Sequence, residues 1–162
     1  MADITVSLTV RDLTHDDLPS CSWSGSATHL VSMAKALDRA ARGEVDYLAV
    51  CPPSSLPVAV GGVDYAKTAG AGTLWQLAVH EALRSCGIGT ILIQAAEQRI
   101  RSRGLYRAEL GVEESNPRAR ALYERLGYVP YGSATESWDV DGPDGTTLRY
   151  EAACTLMRKQ LP

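Results

Sequence analysis

The sequence predicts an α/β fold (α+β) in which helices flank one mixed, mostly antiparallel sheet. Short strand-like runs separated by tight turns fill the first half of the chain, and such closely spaced runs are typical of an antiparallel meander. Two amphipathic helical patterns then alternate with a further strand, as in folds where helices pack on a sheet. Two long strand-like runs end the chain, and the turn residues 141–145 between them, D-G-P-D-G, predict a hairpin.

Two helices are expected among the strands of the first half. Thr14, followed by Asp16 and Asp17, offers a cap and an acidic first turn, which predicts a short helix. Apolar residues at helical spacing from Leu30 to Ala41 predict a second helix that ends at Gly43. Strands are expected over residues 4–10, 45–50, 57–65 and 72–79, and a Ser/Gly-rich loop over residues 21–28.

The second half is expected to hold two longer amphipathic helices. Apolar residues recur on one helical face from Ile88 to Ile100, and Gly104 is expected to end this helix. Asn116 is a good N-cap with Pro117 at the first helical position, which predicts another helix that ends at Gly127. Strands are expected over residues 107–112, 131–140 and 147–159.

Length and composition indicate one globular domain over residues 1–162. Hydrophobic residues make up 45% of the chain and charged residues 22%, which argues against disorder. No apolar run approaches the roughly 20 residues that a membrane span needs, and the first ten residues lack the order of a signal peptide. We therefore expect a cytoplasmic protein. The net charge of −3 argues against a strongly basic nucleic-acid binder.

The cysteines indicate neither a metal site nor a disulfide framework. Cys21, Cys51, Cys86 and Cys154 are widely spaced and include no C-x-x-C pair. In a reducing compartment we expect four separate thiols and no bound metal. The alternative is a catalytic cysteine, which would need a His or Asn partner brought close by the fold.

Residues 77–89, L-A-V-H-E-A-L-R-S-C-G-I-G, carry the clearest functional pattern. A strand runs through a short loop into an amphipathic helix, and Gly87 and Gly89 lie at the start of that helix. Glycine lets a ligand approach the backbone closely, and the free N–H groups of a helix start favour an anion such as phosphate. Arg84 adds a positive charge. The alternative is a tight turn in which glycine serves packing alone. The pattern is neither a P-loop nor a dinucleotide fingerprint.

Two segments resemble the signatures of one enzyme family. Arg84-Ser85-Cys86-Gly87-Ile88-Gly89 resembles the Gln/Arg-x-x-Gly-x-Gly/Ala signature of the GNAT superfamily of acyl-CoA-dependent N-acetyltransferases. Residues 116–128, N-P-R-A-R-A-L-Y-E-R-L-G-Y, are similar to its second signature, Asn-x-x-Ala-x-x-x-Tyr-x-x-x-Gly-Phe/Tyr. The resemblance covers nearly the whole chain and is strongest over residues 77–128. It implies a GNAT-like sheet of six to seven strands with about four helices, and acetyl transfer from acetyl-CoA to a primary amine by direct attack.

The resemblance also implies which residues bind acetyl-CoA. The loop from Arg84 to Thr90 would hold the coenzyme A pyrophosphate through backbone N–H groups. Leu77 and Val79 would pair with the pantetheine arm as an added strand, and Asn116 would contact the arm from the far side. The residues expected to bind the cofactor are Leu77, Ala78, Val79, Arg84, Ser85, Cys86, Gly87, Ile88, Gly89, Thr90, Asn116 and Tyr123.

Direct attack requires a proton donor, an oxyanion donor and a proton acceptor. By the resemblance, Tyr123 would lie near the acetyl sulfur, where a phenol can protonate the leaving thiolate; by spacing alone it would be a core tyrosine. The backbone N–H of Val79 is a candidate oxyanion donor. Gly111 replaces the Glu that similar ribosomal-protein-alanine N-acetyltransferases use as base, so Glu113 is expected to take the amine proton. The alternative is that Glu113 is only solvated.

The acceptor is expected to be a small-molecule amine. Trp23, His29, Tyr131 and Trp138 are the candidate acceptor-binding residues. Two alternatives stay open, namely acetylation of a protein N-terminus or lysine, and a catalytically silent module that senses acyl-CoA. The net charge disfavours a nucleic-acid acceptor, and no membrane partner is expected. A homodimer is expected because members of the family often dimerise.

Overall fold

The computed structural model describes residues 1–162 and contains one seven-stranded sheet. The strands are β1 (Thr9–Asp12), β2 (Val45–Cys51), β3 (Ala59–Asp64), β4 (Gly72–Val79), β5 (Arg107–Glu113), β6 (Val129–Asp141) and β7 (Thr147–Gln160). The α-helices are α1 (Ala27–Ala41), α2 (Ile88–Ser102) and α3 (Pro117–Arg125), and short 3₁₀ helices span His15–Ser24, Glu81–Leu83 and Pro143–Gly145. None of the helices combines the length and apolar character that crossing a bilayer requires.

The strand order across the sheet is β1-β2-β3-β4-β5-β7-β6. All neighbouring strands are antiparallel except β4 and β5, which run parallel. Parallel neighbours need a crossover connection, and α2 supplies it here. The mixed, mostly antiparallel sheet predicted from the sequence is confirmed.

The parallel pair β4–β5 separates after a short stretch. Its register runs only from Gly72 opposite Ala108 to Leu74 opposite Leu110. Both strands continue beyond this point, to Val79 and Glu113 respectively, without pairing to each other. A gap therefore opens in the middle of the sheet.

A bulge in β4 lies at the start of this gap. The register between β3 and β4 shifts there, so that Gln76 and Leu77 together face Gly61, and Gln76 has a positive φ of 55°. A Cβ atom on Gly61 would lie 2.5 Å from Leu77, and one on Gly62 would lie 2.4 Å from the Trp75 ring. Glycine at both positions leaves room for the bulged strand, which bends away from β5.

Apolar side chains fill two layers, one on each face of the sheet. α2 packs on one face through Ile88, Leu92, Ile93, Ala96 and Ile100, all of which are buried. α1 packs on the other through Met33, Ala36 and Leu37. The helical faces predicted for these segments are confirmed. The two helices therefore cover opposite faces of the sheet that contains the gap between β4 and β5.

Two boundaries differ from the sequence prediction. The strand expected over residues 4–10 begins only at Thr9, because its partner β2 ends at Cys51 opposite Thr9 and leaves nothing for residues 4–8 to pair with. The loop expected over residues 21–28 is a 3₁₀ helix as far as Ser24. Burial of Cys21, together with a 2.7 Å hydrogen bond from the Ser24 hydroxyl to the Cys21 carbonyl, stabilises that turn.

Candidate active site

One cleft follows the gap between β4 and β5 and has two parts that differ in charge. We call the part of about 750 Å³ the acidic half and the part of about 650 Å³ the basic half. The two parts share the walls formed by Ser24, Leu77, Asn116, Ala119 and Tyr123. A ligand that fills both parts would pass these five residues.

The basic half contains arginines and no carboxylate. Arg84, Arg118 and Arg125 line it, and no Asp or Glu does. None of these arginines forms a salt bridge within the chain. Arg118 instead donates a hydrogen bond to the hydroxyl of Ser85 and so steadies the loop before α2. Three guanidinium groups are therefore available to an anionic ligand.

The start of α2 adds unpaired backbone donors to the basic half. Gly87 precedes the helix in the left-handed conformation, with φ at 80°, and no side chain caps the helix. Ile91 is the first residue whose N–H bonds back to this turn, to the carbonyl of Gly87. The N–H groups of Ile88, Gly89 and Thr90 are left free at the positive end of the helix dipole, an arrangement that suits a phosphate.

The exposed edge of β4 forms the wall between the two halves. The N–H of His80 donates at 2.8 Å to the carbonyl of Val58, the residue just before β3. Backbone groups in an antiparallel ladder alternate between the two sides of a strand, so the N–H and C=O of Val79 point away from β3 and into the gap. β5 does not pair with β4 there, although it remains paired with β7 on its other side. An extended ligand can therefore add to this edge through main-chain hydrogen bonds.

Tyr123 lies where the two halves meet. It projects from α3 and its ring packs edge-on against Tyr128, with centroids 6.2 Å apart. Its hydroxyl has no hydrogen-bond partner within the chain. Burial raises the pKa of Tyr123 above its ordinary value, which keeps the phenol protonated and able to donate.

Asn116 shares this junction and has two functions. Its Oδ1 accepts a hydrogen bond from the N–H of Ala119 at 3.2 Å and caps α3. Its Nδ2 donors have no partner within the chain and remain available to a ligand in either half.

The acidic half is lined by carboxylates, of which one has no cationic partner. Asp64 pairs with Arg39 at 3.0 Å. Glu136 pairs with Lys67, the cation that lines this half, at 3.1 Å. Asp139 pairs with Arg149 at 3.1 Å.

Glu113 is the remaining carboxylate, at the end of β5. It accepts hydrogen bonds from the hydroxyls of Ser115 at 3.3 Å and Tyr150 at 3.4 Å and has no cation nearby. A positively charged ligand can therefore bind Glu113 without displacing an existing salt bridge.

Neutral polar and aromatic groups complete the acidic half. Trp75 and Trp138 line it, and Trp138 stacks on Tyr150 with centroids 4.9 Å apart. Burial lowers the pKa of His29, so its imidazole is neutral at pH 7. The hydroxyl of Thr73 is buried and has no hydrogen-bond partner.

Most residues predicted for the cofactor line the basic half. They are Leu77, Ala78, Val79, Arg84, Ser85, Gly87, Ile88, Gly89, Thr90, Asn116 and Tyr123. Cys86 does not line it, since its side chain turns outward and its thiol lies 3.6 Å from the carbonyl of Arg84. The expected contact of this loop was through backbone N–H groups, so the direction of the thiol leaves the assignment of Cys86 a prediction.

The four residues predicted to bind the acceptor do not all lie in the same part of the cleft. His29 and Trp138 line the acidic half as expected. Trp23 lines the basic half instead, with its ring tilted against His80 at 5.4 Å. Tyr131 lines neither half, so its part in acceptor binding stays a prediction. Its side chain lies under the guanidinium of Arg158, with the hydroxyl directed to Glu109 at 3.4 Å.

Several residues of the cleft had not been singled out from the sequence. Asp64, Thr73, Gln76 and Glu136 enter it because β4 and β5 separate. Arg118 and Arg125 enter the basic half from α3. The only available signal for the two arginines was that both lie within the segment 116–128, at positions that the quoted signature leaves unspecified.

Comparisons with known proteins identify the family and the fold. Residues 41–128 match the model of the acetyltransferase (GNAT) family. Among curated proteins, none matches the sequence. The structure resembles the Escherichia coli ribosomal-protein-S18-alanine N-acetyltransferase, with a TM-score of 0.72 at 19% identity, covering 96% of this chain and 94% of that one.

Two further solved structures resemble the chain over almost its full length. A chimera of Vibrio cholerae spermidine N-acetyltransferase gives a TM-score of 0.72 at 17% identity, covering 94% of this chain and 95% of that one. The Thermoplasma acidophilum PaiA N-acetyltransferase in complex with coenzyme A gives 0.67 at 18% identity, covering 95% and 99%. At these identities the likeness establishes a common fold.

Proposed function

Because the chain belongs to the acetyltransferase (GNAT) family and is therefore an acyltransferase, we propose that it transfers the acetyl group of acetyl-CoA to a small-molecule primary amine. The amine attacks the thioester directly while both substrates are bound. The division of charge along the cleft carries this proposal. The basic half suits a polyphosphate, the acidic half suits an ammonium, and Tyr123 lies between them.

Acetyl-CoA is assigned to the basic half. The free N–H groups at the start of α2 bind the pyrophosphate, and Arg84 and Arg118 pair with its charges. The pantetheine arm follows the open edge of β4 as an added strand, bonded to the backbone of Val79. Asn116 donates to the arm from the opposite wall through Nδ2. With the pyrophosphate at the start of α2 and the arm along β4, the thioester lies at the junction of the two halves.

The chemistry of aminolysis needs two donors at that junction. The carbonyl oxygen becomes negative as the amine adds, and the N–H of Val79 stabilises it. The thiolate leaves next, and the Tyr123 hydroxyl protonates it. Holding both substrates in one cleft contributes much of the remaining acceleration, because it replaces an encounter between two molecules by a fixed geometry.

The acceptor is assigned to the acidic half. Glu113 pairs with its ammonium, because the other three lining carboxylates already hold cations. A volume of about 750 Å³ suits a small molecule. Trp75 and Trp138 provide apolar and cation–π contact for the body of the amine.

Calorimetric titration tests whether acetyl-CoA binds in the basic half. Micromolar affinity is expected for the wild-type protein, and a loss of at least about tenfold for Arg84→Glu. Arg101→Glu is the matched control, because Arg101 lies at the far end of α2 and bonds only to Gln98. Thiol release with a panel of amines and peptides then tests acceptor choice. Failure of folded wild-type protein to bind acetyl-CoA would overturn the proposal.

A further inference from the structure

The imidazole of His29 has no assigned use in the proposed reaction, although it faces the acidic half. His29 lies in the first turn of α1, where its backbone N–H donates to Ser26 at 3.2 Å. Neither ring nitrogen has a hydrogen-bond partner in the chain. Nε2 is enclosed by protein, whereas Nδ1 remains accessible. An unpartnered imidazole on the wall of a reaction cleft is unusual, because buried polar groups are nearly always hydrogen-bonded.

Packing fixes this ring where hydrogen bonds do not. A Cβ atom on Gly25 would lie 2.6 Å from Cδ2 of His29, so any other residue at position 25 would displace the ring. The Ser26 cap fixes the backbone from which the ring projects. His29 therefore lines the acidic half with its ring packed closely against Gly25 and with Nδ1 unpartnered.

Most charged groups that face the acidic half are carboxylates, which would stabilise the His29 ring in its protonated form. The charged groups are Asp64 at the end of β3, Lys67 in the loop after it, Glu113 on β5, and Glu136 and Asp139 on β6. Asp141, at the end of β6, accepts a hydrogen bond from Thr28. None of them contacts the ring, and burial lowers the pKa of His29. The resting imidazole is neutral and has a lone pair to offer, and the surrounding carboxylates stabilise the cation that then forms.

We propose that Nδ1 of His29 is the proton acceptor for the amine, a step that rests on the proposed acetyl transfer. The ammonium bound at Glu113 gives one proton to Nδ1 and becomes a free amine. Its lone pair then forms the N–C bond to the thioester carbonyl. The C–S bond breaks, Tyr123 protonates the thiolate, and the second proton of the nitrogen restores the Tyr123 hydroxyl. His29 releases its proton to solvent, so one proton is produced for each acetyl group transferred.

In this proposal Glu113 binds the ammonium and His29 accepts its proton. As a class, imidazoles are stronger bases than carboxylates and act best near neutral pH. Glu113 has its own hydroxyl donors and lacks a cation, so it serves as the anion that binds the ammonium. The sequence prediction of Glu113 as the base is thereby replaced by a proposal in which it binds and His29 accepts.

The test is His29→Gln, with His15→Gln as the matched control. His15 is exposed and pairs with Asp38 away from the cleft. With an alkylamine acceptor, His29→Gln is expected to lower kcat/KM about 100-fold near neutral pH and to leave acetyl-CoA affinity unchanged. The deficit should shrink as the pH rises toward the pKa of the amine, and also with an acceptor of low pKa that is already neutral at pH 7.

Two results would overturn the role proposed for His29, and a third would overturn the proposed function. A kcat/KM for His29→Gln within about threefold of wild type across the pH range would overturn the inference. An equal deficit with the low-pKa amine would do so too, because it would show that His29 positions the acceptor. If His29→Gln fails to fold, His29→Asn is used in the same assay. Absence of thiol release from wild-type protein would overturn the proposed function itself, and acetyl-CoA titration separates that case from the others.

Discussion

Asn116 and Ala119 are joined by a hydrogen bond of 3.2 Å, from the backbone N–H of Ala119 to Oδ1 of Asn116. The same Asn116 side chain borders both halves of the cleft. One end of the amide therefore stabilises α3, which positions Tyr123, and the other end is left for a ligand. Different substitutions of Asn116 should therefore affect the stability of the fold and the binding of acetyl-CoA separately.

Asn116→Asp and Asn116→Ala are expected to differ in this way. Ala removes the cap and should lower the free energy of unfolding by about 1 kcal/mol, together with acetyl-CoA affinity. Asp caps a helix as well as Asn does, so stability should be retained. It also replaces the NH₂ donor by a negative charge, so acetyl-CoA affinity should still fall. Urea unfolding and calorimetric titration of both variants check this, and wild-type affinity in Asn116→Asp would contradict it.

Thr73 has a hydroxyl whose removal should not lower the stability of the fold. It is 6% exposed, and its hydroxyl is buried without a partner. Thr73→Val removes a desolvated polar group while keeping the shape, so the free energy of unfolding should stay the same or rise by about 1 kcal/mol. Tyr47→Phe is the contrasting variant, because its hydroxyl donates to Gln76 at 2.9 Å. It should lower stability by about 1 kcal/mol. Equal losses in both variants would show that Thr73 is hydrogen-bonded in solution.

Asp17 should make folding sensitive to acid. Arg11 donates to its two oxygens at 2.7 and 2.8 Å, and this pairing lowers the pKa of Asp17 from 3.8 to about 2. The folded state therefore holds the charged form more tightly than the unfolded state does. The resulting stability is fully present above pH 3.8 and is lost as the pH falls through about 2.

Asp17→Asn tests this linkage. The variant should be less stable than wild type by about 1–2 kcal/mol at pH 7. This difference should disappear as the pH falls to about 2. Urea unfolding at both pH values measures it. A difference that stays constant with pH would mean that the loss comes from packing and the Thr14 cap that Asp17 completes, and not from its charge.

The sequence predicted the parts of the cleft that depend on local structure. Gly87, Gly89 and Asn116 act through the ends of the helices that they begin, and a helix end is specified by residues next to one another. Tyr123 is different, because spacing alone predicts a core tyrosine and only the family resemblance directs attention to its hydroxyl. The helices that carry these residues were indicated by the apolar patterns.

The remaining cleft residues depend on how strands far apart in sequence meet. The face on which Tyr131 lies could not be predicted, because the register of β6 shifts between Pro130 and Gly132 and alternation cannot be counted through such a shift. Glu136 and Asp64 face one cavity only because β4 leaves β5 after Leu74. The separation itself follows from the bulge at Gln76, for which no local sequence signal was recognised.

Tyr123→Phe is the most direct test of the chemistry at the junction. Its hydroxyl has no partner in the chain, so removing it should leave the melting temperature and acetyl-CoA affinity unchanged. It should lower kcat about 100-fold, as loss of a general acid does. Burial raises the pKa of Tyr123, so the wild-type phenol stays protonated past pH 10, its ordinary pKa, and kcat should show no fall from this group below that pH. A wild-type kcat in Tyr123→Phe would mean that water protonates the thiolate, and a fall near neutral pH that persists in the variant would belong to another group.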